Sequence, residues 1–181
     1  MFHARAEGRA AFAASLGEAA GREAFAAWLA DFLGEDASGP LKVVEAPGHR
    51  FTDHPKGHVS VLNLASVRDL EARLGRPVDP LRFRANLHVE GWPAWIENTA
   101  PTGSEVRLGQ VRARLFAPIV RCVATHVDPA TGERDIDLVP ALHALYGHLH
   151  CGIYVQIAEG GTLAEGDGAE LAGDNRADPL A

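Results

Sequence analysis

The sequence predicts an α+β, strand-rich fold: a β-barrel or strongly curved sheet with helices packed outside it. Apolar and β-branched runs bounded by turn residues predominate after residue 100. One of them, Gln110 to Phe116, alternates Val111, Ala113 and Leu115 with Arg112 and Arg114, the mark of a half-exposed strand. Near the start, Phe25, Trp28, Leu29, Phe32 and Leu33 form the single stripe of an amphipathic helix.

Taken in order, Arg9 to Leu16 has the alanine content of a helix, weakened by Gly8 and Gly17. A clear helix spans Arg22 to Leu33 and ends at Gly34, with its aromatic face expected in the core. Leu41 to Ala46 reads as a strand. His49 to His58 reads as a polar loop whose histidines, His49, His54 and His58, are expected to be solvated. Val59 to Leu64 is strand-like, and Ser66 is the expected N-cap of a helix running to Leu74, before Gly75 and Pro77. Pro80 to Val89 reads as a strand with two arginines on one face, and Gly91 to Trp95 as a turn with two large aromatics. Glu105 to Leu108 and Gln110 to Phe116 are strands, followed by the run from Ile119 to the Asp128–Gly132 turn. Asp137 opens a helix, Val139 to Tyr146, ended by Gly147. Cys151 to Ala158 is a strand, Glu159 to Thr162 a hairpin-type turn and Gly166 to Gly168 another. The polar tail from Ala172 is expected to be disordered.

The whole chain bounds the function. Its 181 residues suit one domain, or one domain with an extra terminal segment, and 46% hydrophobic with 23% charged residues is ordinary for a globular protein. A net charge of −7 gives no general attraction to a phosphate backbone, so nucleic acid is not an expected partner. No apolar run approaches the roughly 18 residues of a membrane span, so no membrane is expected either. Two cysteines make no disulfide framework, and the start lacks the basic-then-apolar order of a signal peptide; the expectation is a cytoplasmic protein.

The run from Ile119 carries the chemistry. Adjacent side chains on a strand diverge, so Arg121 and Cys122 should face opposite ways unless a bulge re-aims one. A guanidinium beside a thiol favours the thiolate, the form that attacks electrophiles and binds soft metals. His126 would lie about 13 Å along the same strand, at ~3.3 Å per residue, too far for a Cys-His dyad. A zinc set drawn from His143, His148, His150 and Cys151 is dense in sequence, but a Gly-containing loop and a strand start expose such groups equally well. For Cys122 alone, a buried inert thiol is the ordinary alternative.

Several motifs recur in a shared order. They are Leu62-Asn63-Leu64-Ala65-Ser66-Val67, Arg82-Phe83-Arg84-Ala85-Asn86, Arg121-Cys122-x-x-Thr125-x-Val127-Asp128-Pro129-x-Thr131-Gly132, Cys151-Gly152-Ile153-Tyr154 and Gly166-Asp167. In this order and spacing, across roughly residues 22 to 171, the chain resembles the MOSC domain family, and more narrowly its amidoxime-reducing component branch. The resemblance implies a MOSC-type β-barrel related to that of pyruvate kinase, with peripheral helices. It implies a molybdenum-pterin cofactor with Cys122 as thiolate ligand of the metal. Arg84, Asn86 and Arg121 would contact the pterin and its phosphate, and Tyr154 would line the pocket. Guanidinium groups suit a terminal phosphate.

The implied activity is oxidoreductase-type, the reduction of N-hydroxylated small molecules with electrons from a separate redox protein. Two alternatives stand beside it: a sulfur carrier holding a persulfide on Cys122, and a non-catalytic cofactor-binding module. Relatives of this type carry a preceding barrel region that supplies a lysine to the cofactor. Residues 1–21 are expected to be a remnant of it, 22–171 the MOSC domain and 172–181 a tail. On this reading Arg9 to Leu16 is a remnant strand rather than a helix, and the expectation is either a truncated gene product or a partner chain or self-association that covers the surface it leaves. Cys151 stands where many relatives have Phe, and is expected to be a small core residue, the alternative being a transient pair with Cys122 that would inhibit metal binding.

Overall fold

The structure, a computed structural model, describes residues 1–48 and 56–172. Compact units form from Met1–Arg50 and from Phe51–Ala181. The expectations for His49 and His54, and for the tail beyond Ala172, lie outside the described residues.

In the first unit, β1 (Phe2–Ala4) pairs antiparallel with β2 (Phe12–Ala14), and α1 (Ala19–Leu33) packs on them. The alanine-rich segment is thus a strand at its centre, because strand pairing and the Phe12 contacts outweigh helix propensity. The Phe12 ring lies 5.3 Å from Phe25 and 6.2 Å from Trp28, and Phe2 lies 4.7 Å from Phe25. The aromatic face of α1 is half-buried rather than core: none of its residues is fully buried and Phe32 remains 46% exposed. A two-stranded sheet is too narrow to cover it. The segment 41–46 makes no strand, since it has no ladder partner among the described residues.

The second unit holds β3 (Val59–Asn63), α2 (Leu64–Leu74), β4 (Leu87–Val89), α3 (Ile96–Thr99), β5 (Glu105–Leu108), β6 (Val111–Val120), α4 (Leu138–Tyr146), β7 (His150–Glu159) and β8 (Ala169–Leu171). Its six strands run in the order β4-β3-β7-β6-β5-β8, all antiparallel except the β3–β4 pair. The sheet curls into a nearly closed barrel, and Trp92 Nε1, just past β4, donates to the Ala169 carbonyl of β8 across the seam at 2.9 Å. Val61, Val106, Leu108, Ala113, Leu115, Ile153 and Val155 fill the barrel, and β6 alternates as its sequence requires. A second cluster, with Leu62, Leu70, Phe83, Leu138, Leu142 and Cys151, lies under α2 and α4. The architecture is therefore mixed α+β, with peripheral helices on a strand-rich barrel.

Several local expectations are corrected. Asn63, not Ser66, caps α2, its Oδ1 accepting from the Ala65 N–H at 3.0 Å; Ser66 lies buried inside the helix. Pro80–Phe83 is a 3₁₀ turn capped by Asp79, so only Leu87–Val89 of that segment pairs as a strand. The turn separates its arginines: Arg82 is buried against Asp135 at 2.7 Å, while Arg84 is exposed. The run from Ile119 leaves the sheet at Val120 and continues as a 3₁₀ turn, Val123–His126. His58 is buried with its ring 4.1 Å from Phe116 rather than solvated. The chain after β7 forms no hairpin, because β8 pairs with β5 instead.

Candidate functional site

The site is built where β6 ends. Register irregularities at Leu115/Ala117 and Pro118/Val120 bend the strand, and the Arg121 N–H makes a last bond to the Leu149 carbonyl at 2.8 Å. Arg121 then turns inward and is 8% exposed, while Cys122 is exposed, so the two side chains diverge as alternation demands. The Cys122 carbonyl accepts from the Thr125 N–H at 3.1 Å and from Thr125 Oγ1 at 2.9 Å, which fixes the 3₁₀ turn that follows. Exposed Val120 and Val123 flank the thiol.

Arg121 joins two of the sequence motifs. Its Nη1 donates to the Phe83 carbonyl at 2.8 Å, its Nε to the Cys151 carbonyl at 2.7 Å, and its guanidinium lies 5.2 Å from the Phe83 ring centre. Arg84 follows Phe83 in the left-handed region (φ 48°), its N–H held by the Leu81 carbonyl at 3.0 Å. A non-glycine residue held there is strained, and such positions cluster at functional sites. Asn86 is fixed by Ser60: its Oδ1 accepts from the Ser60 N–H at 2.9 Å and from the Ser60 hydroxyl at 2.8 Å. Tyr154 is the cross-strand partner of Ser60 on one side and Ala117 on the other, so it shares the Ser60 face of the sheet. Arg121 is thus tied to the residue before Arg84, and Asn86 and Tyr154 are both placed by Ser60, while Cys122 follows Arg121 in the chain. Ser60 lay within an ordinary strand in the sequence, and its only signal was a hydroxyl among valines.

The other candidates lie elsewhere. The His126 ring is buried, with Nε2 accepting from the Val139 N–H at 3.2 Å and Nδ1 3.3 Å from Asp137. The strand-based spacing from Cys122 does not apply, since a 3₁₀ turn intervenes. The His148 and His150 rings stack at 5.6 Å, with Tyr146 5.8 Å beyond His148. Burial and the neighbouring His150 hold the His148 pKa below its usual value. Cys151 is fully buried, and desolvation pushes its thiol up to about 12, so it packs as a small core residue. Among the described residues, no three His, Cys, Asp or Glu side chains are grouped to hold a metal ion. No helix among them is long and apolar enough to cross a membrane.

The MOSC domain profile covers residues 48–170. Mitochondrial amidoxime-reducing component 1 of Mus musculus is 34% identical over 125 residues, 62% of this chain and 36% of that protein. Mitochondrial amidoxime reducing component 2 of Bos taurus is 32% identical over 123 residues, 60% of this chain and 35% of that protein. Molybdenum cofactor sulfurase of Caenorhabditis briggsae is 34% identical over 84 residues, 45% of this chain and 12% of that protein. The crystal structure of YiiM from Geobacillus stearothermophilus aligns at 18% identity and a TM-score of 0.48, covering 66% of this chain and 56% of that one. The chain spans about a third of the length of the amidoxime-reducing relatives it matches. Their mitochondrial names overturn the expectation of a cytoplasmic protein. Two thiols and a start without a signal pattern do not separate one reducing compartment from another. With the domain profile matched over well over half of its length, the chain belongs to the MOSC domain family and is similar to the amidoxime-reducing components.

Proposed function

We propose that this protein binds a molybdenum-pterin cofactor and takes part in the reduction of N-hydroxylated small molecules, with electrons from a separate redox protein. The observation that carries the reading is the Arg121 Nη1–Phe83 carbonyl bond of 2.8 Å. It holds the exposed Cys122 and the exposed Arg84 on either side of one brace. The donor set fits the group. A thiolate is a suitable ligand for a soft metal centre, and Arg84, outward and fixed at its backbone, suits a terminal phosphate. The Asn86 side-chain carbonyl is engaged by Ser60, so its NH₂ is the end that would donate to a pterin. Tyr154 would form a wall on the Ser60 face. Arg121 has Nε and Nη1 on backbone carbonyls and so braces the corner, from which it and Arg84 would contact the pterin and its phosphate. When bound, the cofactor supplies the change of oxidation state that removes oxygen from nitrogen; the chain holds and orients it.

The test is expression in a host that makes the cofactor, followed by metal and pterin analysis of the wild type and Cys122→Ala. Molybdenum and pterin in the wild type, with the metal lost in the variant, is the expected result. A wild type without either sinks the reading.

A sulfur-carrier role is the second reading, favoured by the exposure of Cys122 and the similarity to a molybdenum cofactor sulfurase. Mass spectrometry after incubation with a cysteine desulfurase and cysteine separates the two. No added sulfur on Cys122 removes the carrier role.

A further inference from the structure

Two short turns carry the exposed candidates of the site: Pro80–Phe83 with Arg84 after it, and Val123–His126 with Cys122 before it. Each segment sends an arginine to a backbone carbonyl of the other. Arg121, the residue before Cys122, donates from Nη1 to the Phe83 carbonyl at 2.8 Å, and Arg82 donates from Nη1 to the His126 carbonyl at 3.1 Å. The Cys122 segment is therefore tied at both of its ends to the one stretch Arg82-Phe83-Arg84. One bond would leave the two segments free to pivot, whereas two bonds at opposite ends of one segment remove that freedom.

Arg82 is 5% exposed, and its guanidinium is itself aimed. Nη1 lies 2.7 Å from Asp135 Oδ1 and Nη2 lies 2.9 Å from Asp135 Oδ2, the paired geometry of a fork on a carboxylate, with Asp128 Oδ2 3.5 Å from Nη2. Arg76, just past α2, holds Asp135 from outside: its Nη2 donates to Oδ2 at 2.9 Å and its Nη1 to the Asp135 carbonyl at 3.0 Å. The charges of Arg76, Arg82, Asp128 and Asp135 balance, as a buried guanidinium requires. The Asp135 N–H adds a second bond to the His126 carbonyl at 3.3 Å. Inside the turn, the Cys122 carbonyl takes the N–H and the hydroxyl of Thr125, so a constraint at His126 is carried back to Cys122. On the other side, Arg84 sits at φ 48°, and a non-glycine residue keeps such a conformation only where its surroundings over-determine it. The two residues before it, anchored through the Arg82 side chain and the Phe83 carbonyl, supply that constraint.

We propose that Arg82, oriented by Asp135, is a positioning residue for the Cys122 site: it locks the Val123–His126 turn against the Pro80–Phe83 turn and so keeps Cys122 and Arg84 in one relative placement. The purpose of this clamp rests on the cofactor-site reading, but its physical test needs no cofactor.

In the experiment, the ¹⁵N-labelled full chain carries a nitroxide on the exposed Cys122, and the paramagnetic relaxation of the Arg84 N–H is measured. This rate falls steeply with distance, so it reads the placement of the two residues directly. Arg82→Lys keeps the charge and loses the fork; it is expected to change the Arg84 relaxation ~twofold or more, with the Leu115 and Val155 amides of the barrel unmoved. Val106→Ala, which truncates the barrel core away from both turns, is expected to lower stability and leave the Arg84 relaxation as it was. A folded Arg82→Lys with the wild-type Arg84 relaxation overturns the clamp. An equal change in Val106→Ala reduces the effect to general loosening and overturns the positioning role. If Arg82→Lys does not fold, Asp135→Asn, which keeps the shape and removes the charge that aims Arg82, is read in its place. A changed Arg84 relaxation then supports the clamp, and an unchanged one overturns it. Metal analysis of the unlabelled proteins from a cofactor-making host keeps the readings apart. A wild type without molybdenum but with a responsive Arg84 sinks the cofactor and leaves the clamp, and a metal-bearing wild type with an unresponsive Arg84 does the opposite. Where both hold, Arg82→Lys is expected to carry several-fold less metal per folded chain, and equal occupancy overturns the positioning role.

Discussion

Arg121 donates from Nη1 to the Phe83 carbonyl at 2.8 Å while its guanidinium lies 5.2 Å from the centre of the same residue's ring. One side chain therefore ties the end of β6 to the turn that precedes β4. Lysine carries the charge but has neither the planar fork nor the reach to hold Phe83 and Cys151 together. Arg121→Lys is expected to cost about 2–3 kcal/mol, the range for a lost charged hydrogen bond with a carbonyl left buried. Urea unfolding should show it as a lower midpoint with an unchanged slope. An unchanged midpoint removes the brace.

Ser60 and Asn86 exchange more bonds than one pair of side chains needs. Besides the two to Asn86 Oδ1, the Asn86 N–H lies 2.9 Å from Ser60 Oγ and 3.1 Å from the Ser60 carbonyl. Ser60→Ala removes the hydroxyl but keeps the backbone bonds, so about 1 kcal/mol of stability should go. Cofactor occupancy should fall further than that loss explains, because Asn86 is no longer held in one rotamer. Metal content normalised to folded protein measures it, and occupancy equal to the wild type counts against Asn86 as a contact.

How far the sequence could be read follows from which interactions are local. The alternation of Val111, Ala113 and Leu115 is written in β6 itself, and so is the stop at Gly147 after α4. Divergence of Arg121 and Cys122 follows from strand geometry alone. The order of motifs brought Arg84, Asn86, Arg121, Cys122 and Tyr154 onto one short list of candidates. What holds them was not legible. Phe83 acts through its carbonyl and Ser60 through a pairing register with residues 26 and 94 positions away. The turn at Pro80–Phe83 hid inside an apparent strand because its cap, Asp79, lay just outside the run. Glu97 gave only a charge beside Trp95 and Ile96, and its burial depends on β3, α2 and β7 meeting.

Two carboxyls should bend the pH dependence of stability in opposite directions. Hydrogen bonds from Trp95 and Tyr146, with Arg73 nearby, hold the Asp69 pKa below its ordinary 3.8. Its contribution is therefore complete above that value and is lost as pH falls through the lower, folded pKa. Glu97 is raised from 4.5 chiefly by burial, so its term favours folding below that value and weakens as pH rises through the folded pKa. Thermal scans from about pH 2 to 7 should show Asp69→Asn costing stability at neutral pH and nothing at the acid end. Glu97→Gln should have a flatter profile than the wild type above pH 4.5. A neutral-pH Tm of Asp69→Asn equal to the wild type contradicts the assignment.

The two thiols should behave as different chemical species. Cys122 is exposed, and Cys151 is buried with desolvation pushing it up to about 12. A disulfide reagent at neutral pH is expected to titrate one thiol in the native protein and both in guanidinium chloride. The slow native labelling of Cys151 should track opening of the α2–α4 cluster, so denaturant in the pretransition range accelerates it. Equal native rates at both positions would place Cys151 outside the core.

Gly152 gives the sharpest test of how β7 is built. Its φ of +77° is one that an L side chain tolerates poorly, and a Cβ there would stand 2.6 Å from the Val61 carbonyl. The neighbour in the way is backbone of β3, which cannot swing aside as a side chain could. Gly152→Ala should therefore cost about 3 kcal/mol or more, combining backbone strain with displacement of a central strand pair. The same methyl would press on Arg121 Nη2 at 3.2 Å, so the Cys122 turn should be disturbed even in protein that remains folded. Chemical denaturation gives the first quantity and the Arg121 Nε–H resonance the second. A stable variant with that resonance unmoved would show that β7 can carry a side chain there, and that the close approach of β3, β7 and Arg121 is not needed to hold the site.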